Sequence, residues 1–367
     1  MKKKHIIFFL ANFNQGGAGK SIVNLCLNLD KKKYDISIIC LNRCYYKSIL
    51  LKKNINVIEI NKKKVLYAIS ELNRIIKFYS RKNKKIIFVS NLFYTNALVS
   101  LFIKRKKNVK IIFTERTPLQ ELFIYFGFKD FIKKIIIRNI LRFNYKRANI
   151  IIANSKKTAN DIKIFSGSES THIYPASFRK YSIKLKKKDK KIKPLILLAV
   201  GRLSVEKNFD FLIKALQKLR KVNFILKIVG NGPDKKKLEK LVVHLNLQKK
   251  IKFLGFKKNL KQILNKSDLL INTSKFEGFP NVVVEAISAS VPVISSKSHG
   301  GIMEILKKKN FGMTYVNDNE DSLIKKINYF IKKSYLFFIK KKEVKIAFKD
   351  FSAKFSCKKY ESVFDKL

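Results

Sequence analysis

Short segments rich in Ile and Val run again and again into a loop and then a helical pattern, and they do so in both halves of the chain. In the first half Ile6–Leu10, Tyr34–Leu41, Val57–Ile60, Lys85–Val89, Val109–Thr114 and Ile150–Ala153 read as strands, with helices at Ala18–Leu29, Val65–Tyr79 and Thr95–Ile103. In the second half Leu195–Val200, Asn223–Val229, Ile251–Leu254, Leu269–Asn272 and Val291–Ser295 read as strands, with helices at Phe209–Leu219, Lys235–Leu245 and Asn281–Ala289. Apolar runs of this length suit a parallel sheet buried on both faces. The expected fold class is therefore α/β, with two doubly wound domains facing across a cleft. A length of 367 residues fits two domains. Residues 1–179 read as the first domain and 194–340 as the second, joined by a charged linker over 180–193. Residues 341–367 form a helical tail, interrupted near Asp350–Ser352, that is expected to cross back to the first domain. Ligands of such sheets bind outside the carboxyl ends of the strands.

Lys and Arg number 81 against 25 Asp and Glu, a formal net charge of +56. So large an excess points to an anionic partner: nucleic acid, an anionic membrane surface or phosphorylated substrates. The plain alternative is that Lys is the default solvated residue in this chain. Four cysteines, without paired metal-ligand spacing, fit a reducing compartment. The start, MKKKHIIFFLA, resembles a signal peptide, but its apolar run ends at Ala11 and reads better as a first buried strand. No stretch reaches about 18 uninterrupted apolar residues, so no membrane span is expected.

Against this basic background the acids of Phe276-Glu277-Gly278-Phe279-Pro280 and Glu285 stand out. Glu277 sits in a Gly/Pro loop. Glu285 sits a turn into an apolar helix whose neighbours Val282, Val283, Val284, Ala286 and Ile287 read as buried. A carboxylate can accept two hydroxyl hydrogen bonds, as a sugar or ribose diol provides. The alternative for Glu285 is an ordinary acid on a helix surface. Asn281 lies four residues before it, within side-chain reach. Arg202 and Lys207 follow strand Leu195–Val200, beside Gly201. A guanidinium fork and a mobile ammonium can neutralise a leaving diphosphate.

The glycine loops are less specific. Gly16-Gly17-Ala18-Gly19-Lys20-Ser21 ends like a nucleoside-triphosphate loop, but Asn14 stands where that pattern needs glycine. It also fails the dinucleotide fingerprint at Ile22. A glycine turn at a helix N-terminus can hold a phosphate, or it can simply be a tight turn. Gly230-Asn231-Gly232-Pro233 is the same device in the second half, and Gly300-Gly301 follows strand Val291–Ser295.

Together GRLSVEKNFDFLI, IVGNGPDKKKLEKL, FLGF and EGFPNVVVEAISASVPVISS resemble, in order, the retaining glycosyltransferases of the GT-B group usually numbered family 4. Gly16–Gly19 is similar to that family's acceptor-side loop, and IIIANSKKTANDI to the segment before its crossover. The resemblance covers nearly the whole chain and is strongest from about 197 to 305. It implies two Rossmann-like domains and a metal-independent transfer that retains anomeric configuration. It implies catalytic roles for Glu277, Arg202 and Lys207. Arg202 and Lys207 would bind the donor diphosphate, Glu285 the ribose, and Glu277 the transferred sugar. Gly17, Gly230, Asn231, Gly278, Phe279, Pro280 and Asn281 would complete the donor site. Gly16, Lys20, Glu115, Arg116, Gly300 and Gly301 fall on the acceptor or sugar side.

No cofactor is implied. The donor would be a nucleotide-sugar, with UDP favoured. The acceptor would be a saccharide or a polyprenyl-diphosphate-linked saccharide in lipopolysaccharide, capsule or O-antigen synthesis. Many relatives carry a histidine where Thr114-Glu115-Arg116-Thr117-Pro118 places Arg116, and Tyr174-Pro175-Ala176-Ser177 departs from a usual Tyr-Asn-Pro.

Between Leu119 and Arg147, Phe123, Phe126, Phe128, Phe131 and Ile135 are flanked by Lys133, Lys134, Arg138 and Lys146. This composition fits a segment lying on an anionic membrane, or else a packed pair of core helices. The first reading makes the protein cytoplasmic and peripheral on the inner face of the membrane. The rival function is a non-catalytic nucleic-acid-binding or sugar-binding scaffold. The Lys excess, however, runs through both halves without a recognised nucleic-acid reading module, so no specific nucleic acid is expected.

Overall fold

Residues 3–13, 16–81, 85–104, 106–125, 127–178, 194–219, 221–298, 300–306 and 309–367 are described by a computed structural model. The chain divides into two compact units: Met1–Arg179 with Asp350–Leu367, and Lys180–Lys349. The expected linker over 180–193 lies outside the described residues.

In the first unit the elements run β1 (Lys4–Phe9), α1 (Gly17–Asn28), β2 (Tyr34–Cys40), α2 (Lys47–Leu51), β3 (Asn56–Glu59), α3 (Val65–Arg81) and β4 (Ile86–Asn91). They continue α4 (Phe93–Phe102), β5 (Val109–Glu115), α5 (Phe128–Asn144), β6 (Ile150–Ala153), α6 (Lys156–Ser166) and β7 (Thr171–His172). The sheet order is β3-β2-β1-β4-β5-β6-β7, and every pairing is parallel. Side chains alternate along a strand, so β1 feeds two cores. Ile6 and Phe8 join one with α1, while Ile7 and Phe9 join the other with α3, α4 and α5. Both faces are apolar because both are covered, which is why the strands read as continuous hydrophobic runs.

The second unit runs β8 (Leu195–Val200), α7 (Phe209–Gln217), β9 (Phe224–Val229), α8 (Lys235–His244), β10 (Ile251–Phe253), α9 (Lys261–Asn265) and β11 (Leu269–Asn272). It continues α10 (Asn281–Ser288), β12 (Val293–Ser296), α11 (Ile302–Ile305), β13 (Gly312–Tyr315), α12 (Glu320–Lys332) and α13 (Lys341–Phe348). Its sheet, β10-β9-β8-β11-β12-β13, is also wholly parallel. The order reverses between β8 and β11, so the connections leaving those two strands diverge and leave a crevice at their carboxyl ends.

The tail expected over 341–367 is divided between the units. α13 belongs to the second, where buried Phe348 lies 5.3 Å from the ring of Phe311. After a break at Lys349–Phe351 the chain enters α14 (Ala353–Asp365), which belongs to the first unit. Ser352 caps it, its side chain accepting from Phe355 N at 3.3 Å. α14 lies against α1: Cys357 Sγ donates to Leu25 O (3.3 Å), and the Phe364 ring sits 5.8 Å from Tyr34 and 6.4 Å from Phe8. Phe364 has no exposed surface. Phe364→Ala should therefore cost about 3–5 kcal/mol of stability. Urea denaturation of the full chain checks this, and a loss below about 1 kcal/mol would show that α14 is not a structural part of the first unit.

Candidate functional site

The crevice between β8 and β11 brings together two of the residues singled out in the second half, Lys207 and Glu277, with Arg202 on the same loop as Lys207. The loop after β8 carries Arg202 and Lys207, and the loop after β11 carries Glu277. Parallel neighbours end at the same edge of a sheet, so residues some 70 positions apart in sequence meet here. Lys207 Nζ forms an ion pair with Glu277 Oε1. Ser274 Oγ donates to the same carboxylate oxygen at 2.9 Å. Thr273 Oγ1 donates to Lys207 O at 2.7 Å, and Lys275 N donates to Glu206 O at 2.9 Å. The two loops are thus tied by backbone, hydroxyl and ionic contacts. The Arg202 guanidinium is exposed and has no hydrogen-bond or ionic partner among the described residues. One cation of the pair is already matched by a carboxylate and the other is open to an anion.

Thr273 and Ser274 were not anticipated. Their signal is the polar run Asn272-Thr273-Ser274 closing an otherwise apolar strand. Ser274 Oγ also lies 3.0 Å from Asn272 Oδ1, and Ser296 Oγ donates to Ser274 O at 2.6 Å. This buried hydroxyl network reaches from β12 to the Glu277 loop.

The glycines serve the packing of the loops. A Cβ on Gly230 would lie 1.8 Å from Gly201 O, and one on Gly300 1.6 Å from Glu277 O. Both have positive φ, +147° and +111°. Their missing side chains admit the neighbouring loop, and Gly301 N donates to Gly278 O at 2.9 Å. The glycine turns therefore fix the loops that carry Arg202 and Glu277. Asn231 is exposed, and its backbone oxygen accepts from Leu203 N at 3.0 Å. Phe279 and Pro280 are buried behind the Glu277 loop, as is Gly278. On α10, Asn281 and Glu285 are half-buried on one side, while Val283, Val284, Ala286 and Ile287 are buried on the other.

In the first unit Gly16 and Gly17 are exposed where the chain enters α1, and Lys20 is half-buried in its first turn. Glu115 ends β5, Arg116 follows it, and the two part company. Glu115 has no exposed surface; Asn96 Nδ2 (2.7 Å) and Tyr145 OH (2.8 Å) both donate to its Oε1. Its Oε2 has no partner among the described residues. A direct contact between Glu115 and a sugar is not what this geometry offers, because the carboxyl is enclosed in the core. Arg116 is half-buried; its Nε donates to Asn91 Oδ1 (2.9 Å) and its Nη1 to Ser21 Oγ (2.7 Å). Burial pulls its guanidinium below the ordinary arginine value. Among the described residues no group of three or more His, Cys, Asp or Glu is placed to hold a metal ion, and no helix is long and apolar enough to cross a membrane.

Residues 182–347 match the family described as Glycosyl transferases group 1, and residues 15–175 match Glycosyltransferase Family 4. The chain is a GT-B-fold glycosyltransferase related to members of these two families that act in bacterial sugar-polymer biosynthesis. It is 26% identical over 329 residues to the N-acetylgalactosamine-N,N'-diacetylbacillosaminyl-diphospho-undecaprenol 4-alpha-N-acetylgalactosaminyltransferase of Campylobacter jejuni, covering 86% of this chain and 87% of that protein. Among solved structures, HepE of Anabaena in complex with UDP-glucose superposes with a TM-score of 0.79 at 19% identity, covering 99% of this chain and 100% of that one. Sucrose-phosphate synthase of Thermosynechococcus elongatus superposes with a TM-score of 0.81 at 14% identity, covering 99% of each chain. These similarities show the two-domain GT-B architecture.

Burial is the main cause that raises the Glu115 carboxyl from an ordinary 4.5 to about 7, partly offset by the bonds from Asn96 and Tyr145. Between these values the folded chain holds a proton that the unfolded chain has released. Stability should fall as pH rises through that window and stay low above it. Glu115→Gln should remove this dependence and be the more stable form at pH 8, by up to about 3 kcal/mol. Urea denaturation of both proteins at pH 5 and pH 8 checks it; parallel stability profiles would contradict the assignment.

Proposed function

We propose that this chain is a metal-independent, retaining glycosyltransferase. It would move a hexose or N-acetylhexosamine from a UDP-sugar to a saccharide or polyprenyl-diphosphate-linked saccharide during cell-surface glycan synthesis. The observation that carries this reading is the Lys207–Glu277 pair at the β8–β11 switch point, with the open Arg202 on the same loop as Lys207. The donor diphosphate would lie on Arg202 and Lys207, whose charges offset the one that develops as the sugar C1–O bond breaks. Lys207 can leave one partner for the other, because an ammonium on a flexible stem is a mobile charge. Glu277, relieved of part of that pairing, would accept bonds from the sugar hydroxyls, and Glu285 from the ribose. The acceptor hydroxyl would form the new bond to C1 on the face the diphosphate leaves, and its proton would pass to a diphosphate oxygen. No protein nucleophile is needed. The relatives support the choice of donor and acceptor: one acts on a diphospho-undecaprenol-linked sugar, and one was solved with UDP-glucose.

The pair can be tested directly. UDP-sugars should raise the melting temperature, with smaller shifts from GDP-, ADP- and CMP-sugars. Lys207→Gln and Glu277→Gln should each lower transfer by roughly 100-fold or more while remaining folded, the order expected when one group that stabilises developing charge is removed. Near wild-type turnover in both would end this assignment.

A peripheral membrane location is the second part of the proposal, and α5 supports it. Its inner side buries Ile137 and Leu141. Its outer side exposes Phe128 (75%), Ile132, Ile136 and Phe143 (66%) among Lys129, Lys133 and Arg142. Lys134, expected on the basic flank, is instead buried: it pairs with Asp130 at 2.8 Å and donates to Ile124 O. The exposed mixture suits an anionic bilayer surface, with apolar groups inserting beneath a layer of cations. The full chain should sediment with vesicles containing anionic lipid at low salt and be partly released at high salt. The triple change Phe128→Ser, Ile132→Ser, Ile136→Ser should abolish the salt-resistant fraction; equal sedimentation of variant and wild type would dismiss α5 as the contact.

A further inference from the structure

Among the described residues Arg116 has no counter-charge. Its two acceptors, Asn91 Oδ1 and Ser21 Oγ, are neutral, and no carboxylate pairs with it among the described residues. Glu115, next in sequence, turns away to Asn96 and Tyr145. A cation withdrawn from water without a compensating charge is costly, and this chain already carries +56. Beside Arg116 lies a small crevice of about 10 Å³, whose polar lining is Ser21, Thr114, Glu115, Arg116, Asn154 and Tyr360. Tyr360, on α14, is only 4% exposed, and its hydroxyl bonds none of the described residues.

Glu115 enters this wall with its Oε1 bonded by Asn96 and Tyr145 and its Oε2 bonding none of the described residues; the other polar side chains have little left with which to bind a cation. Ser21 Oγ donates to Ala18 O and accepts from Arg116. Asn154 Nδ2 donates to Arg116 O, and its Oδ1 accepts from Thr158. Thr114 Oγ1 donates to Asn91 Oδ1. Around Arg116 itself the surplus is of donors: the unused N–H groups of the guanidinium and the Tyr360 O–H. A donor-rich pocket beside an unmatched cation selects an anionic acceptor over water, because charge-assisted bonds are about twice as strong as neutral ones. The volume admits one atom-sized group.

We propose that the crevice formed by Arg116, Ser21 and Tyr360 receives one anionic oxygen, of a phosphate or carboxylate carried by the saccharide substrate. The preference for an anion stands on the geometry alone. That the oxygen belongs to a saccharide rests on the reading of the first unit as the acceptor side.

Thermal melting of the full chain tests this, at fixed ionic strength held by a bulky sulfonate. UDP at saturating concentration keeps the probes off Arg202 and Lys207. The probes are inorganic phosphate, glucose 6-phosphate and, as the neutral partner, glucose. Phosphate should raise the melting temperature of the wild type and of Arg74→Gln, an exposed charge-matched control. Arg116→Gln and Tyr360→Phe should each need roughly tenfold more phosphate for the same shift. Tyr360→Phe removes an oxygen that bonds no described residue, so it keeps the test valid should Arg116→Gln fold poorly. Half-saturation by glucose 6-phosphate below that of phosphate assigns the oxygen to a saccharide; equal values assign it to the free ion. Equal phosphate shifts in all four proteins, or none in the wild type, overturn the proposal. The UDP shift in the same samples reports the donor reading separately.

Discussion

Parallel pairing is the constraint on which the site depends. When all strands of a sheet run one way, their carboxyl ends share an edge, and the loops leaving them are neighbours whatever their distance in sequence. In the second unit this brings the β8 loop to the β11 loop, and the Lys207–Glu277 pair closes the junction. The pair is supported from three sides. Gly230 lets the β9 loop press against Gly201, Gly300 lets the β12 loop press against Glu277, and Ser274 holds the carboxylate from below. A side chain at either glycine would push apart the loops that carry the charges. The rigidity of the site and the small size of its flanking residues are one fact.

The first unit solves a different problem with the same architecture. Its β5 ends at Glu115, and Arg116 next to it goes the opposite way. Glu115 stays in the core, where burial favours its neutral form, while Arg116 turns toward α1 and stays charged because a guanidinium does not release its proton at physiological pH. Burial therefore separates two groups that would otherwise cancel. The enclosed acid leaves the cation with neutral partners and no carboxylate among the described residues, and the cost of that arrangement is the physical reason to look for a ligand there.

Much of the fold was legible because buried parallel strands leave a strong trace. Ile150–Ala153, Leu195–Val200 and Leu269–Asn272 occupy the residues their Ile and Leu content suggested, and the break near Asp350–Ser352 separates α13 from α14. The helices α5, α6 and α12 were not assigned. α5 exposes much of its apolar surface, so its pattern does not follow burial; α6 is defined by its Ser155 cap and by Gly167 at φ +68° more than by periodicity. The short strand β13 pairs only with β12, at the edge of its sheet, and carries too few residues to show an alternation.

The candidate site was legible in residue type and order. Arg202, Lys207, Glu277 and Glu285 stand in loops and helix starts that follow strands, and that much is local chemistry visible along a line of residues. Which of them touch was not, because contact depends on strand order, and strand order is set by long-range packing that no local segment encodes. The sequence by itself determined two α/β units, their strands, and the acids and cations at strand ends. Only the tertiary structure decided that Lys207 meets Glu277, that Glu115 is enclosed while Arg116 faces a crevice, and that the glycines admit neighbouring loops. These are questions of distance and burial, and both exist only once the sheets have closed on their cores.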